Sequence, residues 1–387
     1  MHITVVYVDG RPLECPGYNN KNTAWWEGSQ IYGSSEAEGG KQVFIPRDSS
    51  GNPMTGFSDN WWTGIEMLHT LFAMEHNAIC DTVRAAHPDW TGDTIFDKAS
   101  LINSALTAKI HTVEWTPAIL AHPALQIGMT ANYGIPGSGV NHFGVPYSLT
   151  EDFTTSPSLM PPTASTNQLA LRRYGLQQGP ESVPLRSLLR RIAFYSFGIS
   201  YPGAITNNNY PNFMRNLSTP DGQFRDMGTV DILRDRERGV PRYNQFRRLL
   251  CMSAPKTFGE LTGGNKELAQ ELCQVYGDIE LVDTLVGSHS EPLPKGFGFS
   301  DTAFQIFILM ASRRLKSDRF LAGQWNSDTY TKEGLPWLQN IGMKGMLVRH
   351  FPELEMTLKK TENVFAPWEK KPESMRYEGA ETNAPGL

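Results

Sequence analysis

This 387-residue chain has few cysteines, no excess of basic charge and no long apolar run, and each shortage removes a class of function. Its four cysteines, Cys15, Cys80, Cys251 and Cys273, lie far apart, with no pair at metal-ligand spacing and no dense disulfide pattern, which points to a reducing, intracellular compartment. Thirty-five basic against 40 acidic residues give a net charge of -5. No basic stretch is interleaved with aromatics, so nucleic acid is not an expected partner. No segment reaches the roughly 20 apolar residues that cross a bilayer, and the opening MHITVVYVDGRPLECPG lacks the basic segment and long apolar run of a signal peptide. The chain therefore reads as soluble or peripherally membrane-bound. Hydrophobic alternation long enough for a major sheet is missing, as are internal repeats. What is present is 40% hydrophobic residues, enough for a real core, arranged mostly at helical period.

Residues 1–60 are rich in Gly, Asn, Ser and Pro and read as loops, with one short strand over residues 3–8 ended by Asp9-Gly10. Helices begin at Trp61. Ile65, Leu68, Phe72, Ile79 and Val83 form the apolar stripe of a long amphipathic helix that Pro88 closes. Ile95, Ala99, Ile102 and Leu106 mark a second helix that runs into Pro117. Further helical stretches are expected over residues 185–197 and 231–250, with short turns through 266–285. The segment DTAFQIFILMASRRLKSDRF is apolar on every side from Phe304 to Ala311, the pattern of a fully buried helix. The expected architecture is mainly α, with long connections of the kind that carry sites.

Among residues that bear chemistry, His76 sits on the apolar stripe of the first long helix and reads as a core histidine with satisfied nitrogens, as does His69. His111 shares a helix seam with Ser104, Thr107 and Trp115, a polar and aromatic strip that reads either as buried structure or as the wall of a pocket. Thr116 precedes Pro117, which is expected to push it out of ideal helical geometry. Arg313 and Arg314 either answer the helix dipole at the end of a buried helix or reach for a carboxylate, where a charge-assisted pair is much stronger than a neutral one. The run RDRERG, residues 234–239, reads as a solvated face. In LTEDFTTSPSLMPPT, residues 149–163, Ser148 and Glu151 are spaced as a capping box, yet Pro157, Pro161 and Pro162 stop the helix they would start.

At LHTLFAMEHNAICDTVRAAHPDW and DILRDRERGVPRYNQFRRLL the chain resembles the animal-type haem peroxidase superfamily, which includes the cyclooxygenases. The segments WWEGSQIYGS, TAKIHTVEWT, GVPYSLTEDF and GFSDTAFQIFILMASRRLKSDRF resemble the fatty-acid alpha-dioxygenases more closely, in order from about residue 23 to 368. The resemblance implies a haem peroxidase-like single helical domain over residues 22–387, lacking the N-terminal distal portion, behind an unmatched segment 1–21. It also implies an activity: a haem held by a proximal histidine oxidises a tyrosine, the tyrosyl radical takes hydrogen from C2 of a fatty acid, and molecular oxygen adds to give a 2-hydroperoxide. The carboxylate has to be pinned so that C2 meets the radical. His111, Thr116 and Arg314 match the family residues that pin it, which reverses the order of the two readings of the seam. Asn209, in NNNYPNFMR, matches the asparagine that orients the proximal histidine. The family binds calcium in a loop that here reads TAWWEGS, with Thr23, the carbonyl of Trp25, Glu27 and Ser29 as the matching oxygens; Glu27 stands where the family has aspartate.

Two departures accompany the match. The family's distal histidine belongs to an N-terminal region with no counterpart here. In the family, the helix that begins like VPYSLTEDF continues into Tyr-x-x-His, the radical site and the iron ligand, before a segment like LMP. Here only TTSPS separates Phe153 from Leu159. Missing exons and evolutionary loss both account for such gaps. Three readings remain: an oxygenase by descent, a fatty-acid-binding protein without haem, and an enzyme with a relocated iron ligand, for which His142 in NHFGVP is the candidate.

Overall fold

The computed structural model describes residues 7–8, 11–12, 25–33, 63–123, 194–200, 205–207, 215, 217–218, 224–237 and 239–369. They are mainly helical: α1 Ser29–Tyr32, α2 Thr63–Ala86, α3 Gly92–Ile110, α4 Met227–Glu237, α5 Tyr243–Leu249, α6 Lys266–Tyr276, α7 Thr284–Ser290, α8 Asp301–Ser317, α9 Ser327–Asn340 and α10 Met343–His350, with shorter turns between. Among the described residues β-structure is confined to two antiparallel pairs of two-residue strands, Tyr7–Val8 with Arg11–Pro12 and Leu217–Ser218 with Phe224–Arg225, apart from a single bridge between Leu120 and Phe297. No helix among them is long and apolar enough to cross a membrane. The chain divides into two compact units, one of Glu27–Ala118, Thr166–Tyr201 and Asn326–Leu387, the other of Met1–Trp26, Ile119–Ser165 and Pro202–Trp325.

In the first unit α2 and α3 pack against each other and receive α9 and α10. The α3 sequence starts cleanly because the Thr91 hydroxyl accepts the Thr94 N–H at 3.2 Å, and its stripe of Ile95, Ala99, Ile102 and Leu106 is buried as its period requires. On α2, Phe72, Ile79 and Val83 are buried, but Leu68 is exposed. Close packing of α9 on α3 depends on Gly334, where a Cβ would stand 2.4 Å from Ile102 Cδ1. Ahead of it Thr331 adopts φ 65°, a strained value for a β-branched residue, and its hydroxyl accepts the Gly334 N–H at 3.0 Å. Within this unit Glu75, fully buried on α2, receives Trp337 Nε1 at 2.9 Å and His350 Nε2 at 2.7 Å.

The second unit corrects several expectations, among them the short turns expected over 266–285, which include the 11-residue helix α6. The stretch 231–250 is two helices, because Gly239 at φ 72° and Pro241 interrupt it. Nor is RDRERG only a solvated face: Arg236 forks onto Asp283, Nε to Oδ1 at 2.9 Å and Nη2 to Oδ2 at 2.7 Å, while Arg242 and Tyr276 bind the same carboxylate, which is 3% exposed. A charge pattern in sequence cannot reveal a buried carboxylate 47 residues away. Helix α8 is also less enclosed than its apolar run suggests. It buries Thr302, Ile306, Ala311 and Leu315 and leaves Leu309 49% exposed, while Ala303, Phe304 and Phe307, partly buried, pack on the Leu120, Ile205 and Phe299 core. The cysteines described, Cys80, Cys251 and Cys273, are reduced.

Candidate functional site

The seam on α3 separates into two parts. Ser104 is buried under Gly28, and the Thr107 hydroxyl donates to the Asn103 carbonyl of its own helix at 2.9 Å, so these two serve packing. His111 and Trp115 differ. They lie on a π-helical turn, His111–Trp115, inserted between α3 and the short helix Thr116–Ile119, and their rings stack at 4.8 Å and 18°. Such single wide turns concentrate at functional sites. The local cause is Pro117, which has no N–H for the carbonyl four residues back and whose ring would crowd it. The wider turn relieves this clash, and the Thr116 N–H instead reaches the His111 carbonyl.

Thr116 therefore does not leave helical geometry as expected before a proline; it keeps φ -60° and ψ -46°. It is fully buried, and its hydroxyl donates to the His111 carbonyl at 2.7 Å. Burial pushes the His111 imidazole down to about 4, so it is neutral across the physiological range and offers one N–H and one lone pair.

The groups that hold this turn escaped the sequence. Glu114 receives the Met343 N–H at 3.0 and 3.3 Å, capping the N-terminus of α10, and its backbone carbonyl accepts Asn363 Nδ2 at 2.7 Å. Lys109 donates to the carbonyls of Leu338 at 2.6 Å, Gln339 at 3.1 Å and Ile341 at 2.8 Å, satisfying the end of α9. Burial lowers the Lys109 ammonium and raises the Glu114 carboxyl, and each opposes the other's shift. The signal that was available is Thr-Pro inside an otherwise unbroken helical pattern.

Arg314 belongs to the other unit, on α8. Its guanidinium is partly buried, its Nε is enclosed without an acceptor, no ion pair joins it among the described residues, and burial lowers its pKa. The side chain of Arg313, Thr23, His142, Asn209 and the whole 149–163 stretch lie outside the described residues. Trp25 and Glu27 are exposed, and Glu27 Oε1 accepts the Ser29 N–H at 3.2 Å. No group of three His, Cys, Asp or Glu that could hold a metal occurs among the described residues.

His76 is the satisfied core histidine its position implies: fully buried, it binds the Tyr32 hydroxyl through Nδ1 at 3.0 Å and Cys80 Sγ through Nε2 at 3.4 Å. His87 pairs with Glu333, and His289 directs Nδ1 to the Leu285 carbonyl at 2.7 Å.

Residues 45–365 match the animal haem peroxidase family. The chain is 35% identical to alpha-dioxygenase PIOX of Oryza sativa over 413 residues, covering 91% of this chain and 67% of that protein, and 36% identical to alpha-dioxygenase 2 of Arabidopsis thaliana, covering 92% and 66%. It thus spans about two thirds of the length of these relatives. The rice match extends over more residues than this chain possesses, so the relative carries segments within the shared region that this chain does not. A crystal structure of Oryza sativa fatty acid alpha-dioxygenase superposes with a TM-score of 0.76 at 33% identity, covering 91% of this chain and 67% of that one. A variant of that rice enzyme solved with palmitic acid superposes at 0.75, with 33% identity, covering 90% and 67%.

Proposed function

The chain belongs to the animal haem peroxidase family, and on that footing we propose that it is a haem-dependent oxygenase by descent whose substrate is a fatty acid held by its carboxylate. The observation that carries the substrate class is Arg314, a partly buried guanidinium whose enclosed Nε has no acceptor among the described residues. A carboxylate is the anion whose geometry a guanidinium fork matches. His111, neutral and beside a hydroxyl residue on a π-helical turn, supplies a donor that needs no counter-charge of its own. The family resemblance, not a geometry between the two units, assigns the charge to Arg314 and the direction to His111 and Thr116. The structure of a rice relative with palmitic acid supports a long-chain acid.

Haem would supply the oxidising chemistry in a family member that holds it. TTSPS between Phe153 and Leu159 offers neither the Tyr nor the His that the resemblance places there, and among the described histidines His76, His87 and His350 each meet a protein group through Nε2. The missing Tyr and His favour a second reading, a fatty-acid-binding protein without haem. Oxygenation at C2 to a 2-hydroperoxide, calcium at Thr23, Trp25, Glu27 and Ser29, and Asn209 as an orienting residue are proposed on family resemblance. Calcium-dependent thermal stability that disappears in Glu27→Gln tests the cation site.

Titrating the purified chain with haemin, then recording its absorption band and oxygen uptake with palmitate, separates the two readings. A stoichiometric haem band with palmitate-dependent oxygen uptake supports the oxygenase. Palmitate binding with no specific haem band supports the binding protein. No palmitate binding in either form overturns the carboxylate site.

A further inference from the structure

His111 and Thr116 stand five residues apart, a spacing that an α-helix spreads about 140° around its axis. The π turn His111–Trp115 closes that angle, because bonds that run from i to i+5 return the fifth residue to the face of the first. The consequence is direct contact: the N–H and the hydroxyl of Thr116 both reach the His111 carbonyl, the hydroxyl at 2.7 Å. Trp115 stacks on the imidazole from the same turn. Rewound as α-helix, residues 111–116 would aim the two groups in different directions.

Pro117 disfavours the α form but leaves other exits, a kink or a helix end. Glu114, inside the turn, is tied twice. Its carboxylate accepts the Met343 N–H at 3.0 and 3.3 Å and so caps α10, which Gly342 at the N-cap position cannot do without a side chain. Its backbone carbonyl accepts Asn363 Nδ2 at 2.7 Å, and Asn363 is itself oriented by the Phe365 N–H, which donates to its Oδ1 at 2.9 Å. The seat is close: a Cβ on Gly342 would stand 2.3 Å from Glu114 Oε1. All these groups belong to the first unit. Rewinding the turn would swing Glu114 away from both partners and leave the start of α10 uncapped.

We propose that Glu114 is the positioning residue of this turn: it fixes the π register against α10 and Asn363, holds His111 and Thr116 on one face, and through them sets the affinity for a fatty-acid carboxylate. The ligand rests on the proposed carboxylate role of His111 and Thr116, the positioning on the turn itself. Glu114 acts at a distance from the ligand, as a strut between the site and α10.

The test measures palmitate affinity of the full chain by calorimetry and follows the His111 imidazole by nuclear magnetic resonance of histidine-labelled protein. The chain has nine histidines, so His111→Gln assigns the resonance. Glu114→Ala should weaken palmitate binding about tenfold, the loss of roughly one directed hydrogen bond, and let the imidazole titrate upward from about 4 toward 6.5 as the turn opens. Glu114→Gln keeps an acceptor for the Met343 N–H and should retain both wild-type values. Asn326→Ala removes the cap of α9, where the side chain accepts the Asp328 and Thr329 N–H groups, and should lower the melting temperature while leaving affinity and titration unchanged. An unmoved His111 titration in Glu114→Ala overturns the proposal. So does an Asn326→Ala that shifts affinity and titration as far, or, where the wild type binds palmitate, an unchanged affinity. A wild type that binds no palmitate overturns the carboxylate reading instead, and the His111 titration still decides whether Glu114 positions that ring. Should Glu114→Ala fail to fold, Gly342→Ala displaces the same carboxylate from a backbone conformation open to alanine, and the same two readouts decide.

Discussion

Replacing Arg314 with Met separates binding from stability by the sign of each effect. Methionine keeps an unbranched apolar stem and removes only the guanidinium, whose Nε has no acceptor and which makes no ion pair among the described residues. Most buried arginines contribute to stability through their partners; Arg247 holds Glu291 at 2.9 Å, the Ser253 carbonyl at 2.6 Å and Thr302 at 2.6 Å. Breaking that set should cost about 3–5 kcal/mol. Arg314 has no such set to break, and its removal relieves a desolvated charge, so Arg314→Met should unfold at the same urea concentration as the wild type or a higher one. Binding should move the opposite way. A hydrogen bond to a charged group contributes about 1.5–3 kcal/mol, which corresponds to roughly a 10- to 150-fold weaker palmitate affinity by calorimetry. A variant destabilised as strongly as Arg247→Met would show that Arg314 is structural, and an unchanged palmitate affinity would refute its role as carboxylate receptor.

His111 makes stability depend on pH in a defined window. Its folded pKa, about 4, lies below the ordinary 6.5, so the unfolded chain binds the proton more tightly; this group takes nothing from stability above pH 6.5 and removes up to about 3 kcal/mol as pH falls toward 4. Urea unfolding of His111→Gln across that window should give a flatter profile than the wild type. Gly334→Ala drives a methyl into Ile102 and should cost about 1–3 kcal/mol, read as a lower melting temperature with α9 displaced. Asp283→Asn leaves Arg236 and Arg242 facing a neutral group and should lose about 3–5 kcal/mol in denaturant titration, whereas Arg234→Gln should change it by less than about 0.5 kcal/mol.

Local rules were enough for the long helices. The 3.6-residue period of Ile95, Ala99, Ile102 and Leu106, with Thr91 as cap, determines α3 because both signals act within a few residues and burial reinforces them. The resemblance on both sides of the 149–163 stretch likewise came from residue identity alone, and it named His111, Thr116 and Arg314. Tertiary structure decided what each of those groups experiences. Pro117 reads as a helix end in sequence, but Glu114, anchored on Met343 and Asn363 more than 220 residues away, lets the backbone widen into a π turn and continue. The same holds for charge: Arg236 and Arg314 are alike in composition, yet one forks onto a buried carboxylate and the other meets none among the described residues. Periodicity reports which face a residue takes, whereas desolvation and partner choice depend on atoms brought from remote parts of the chain, and only the fold supplies those.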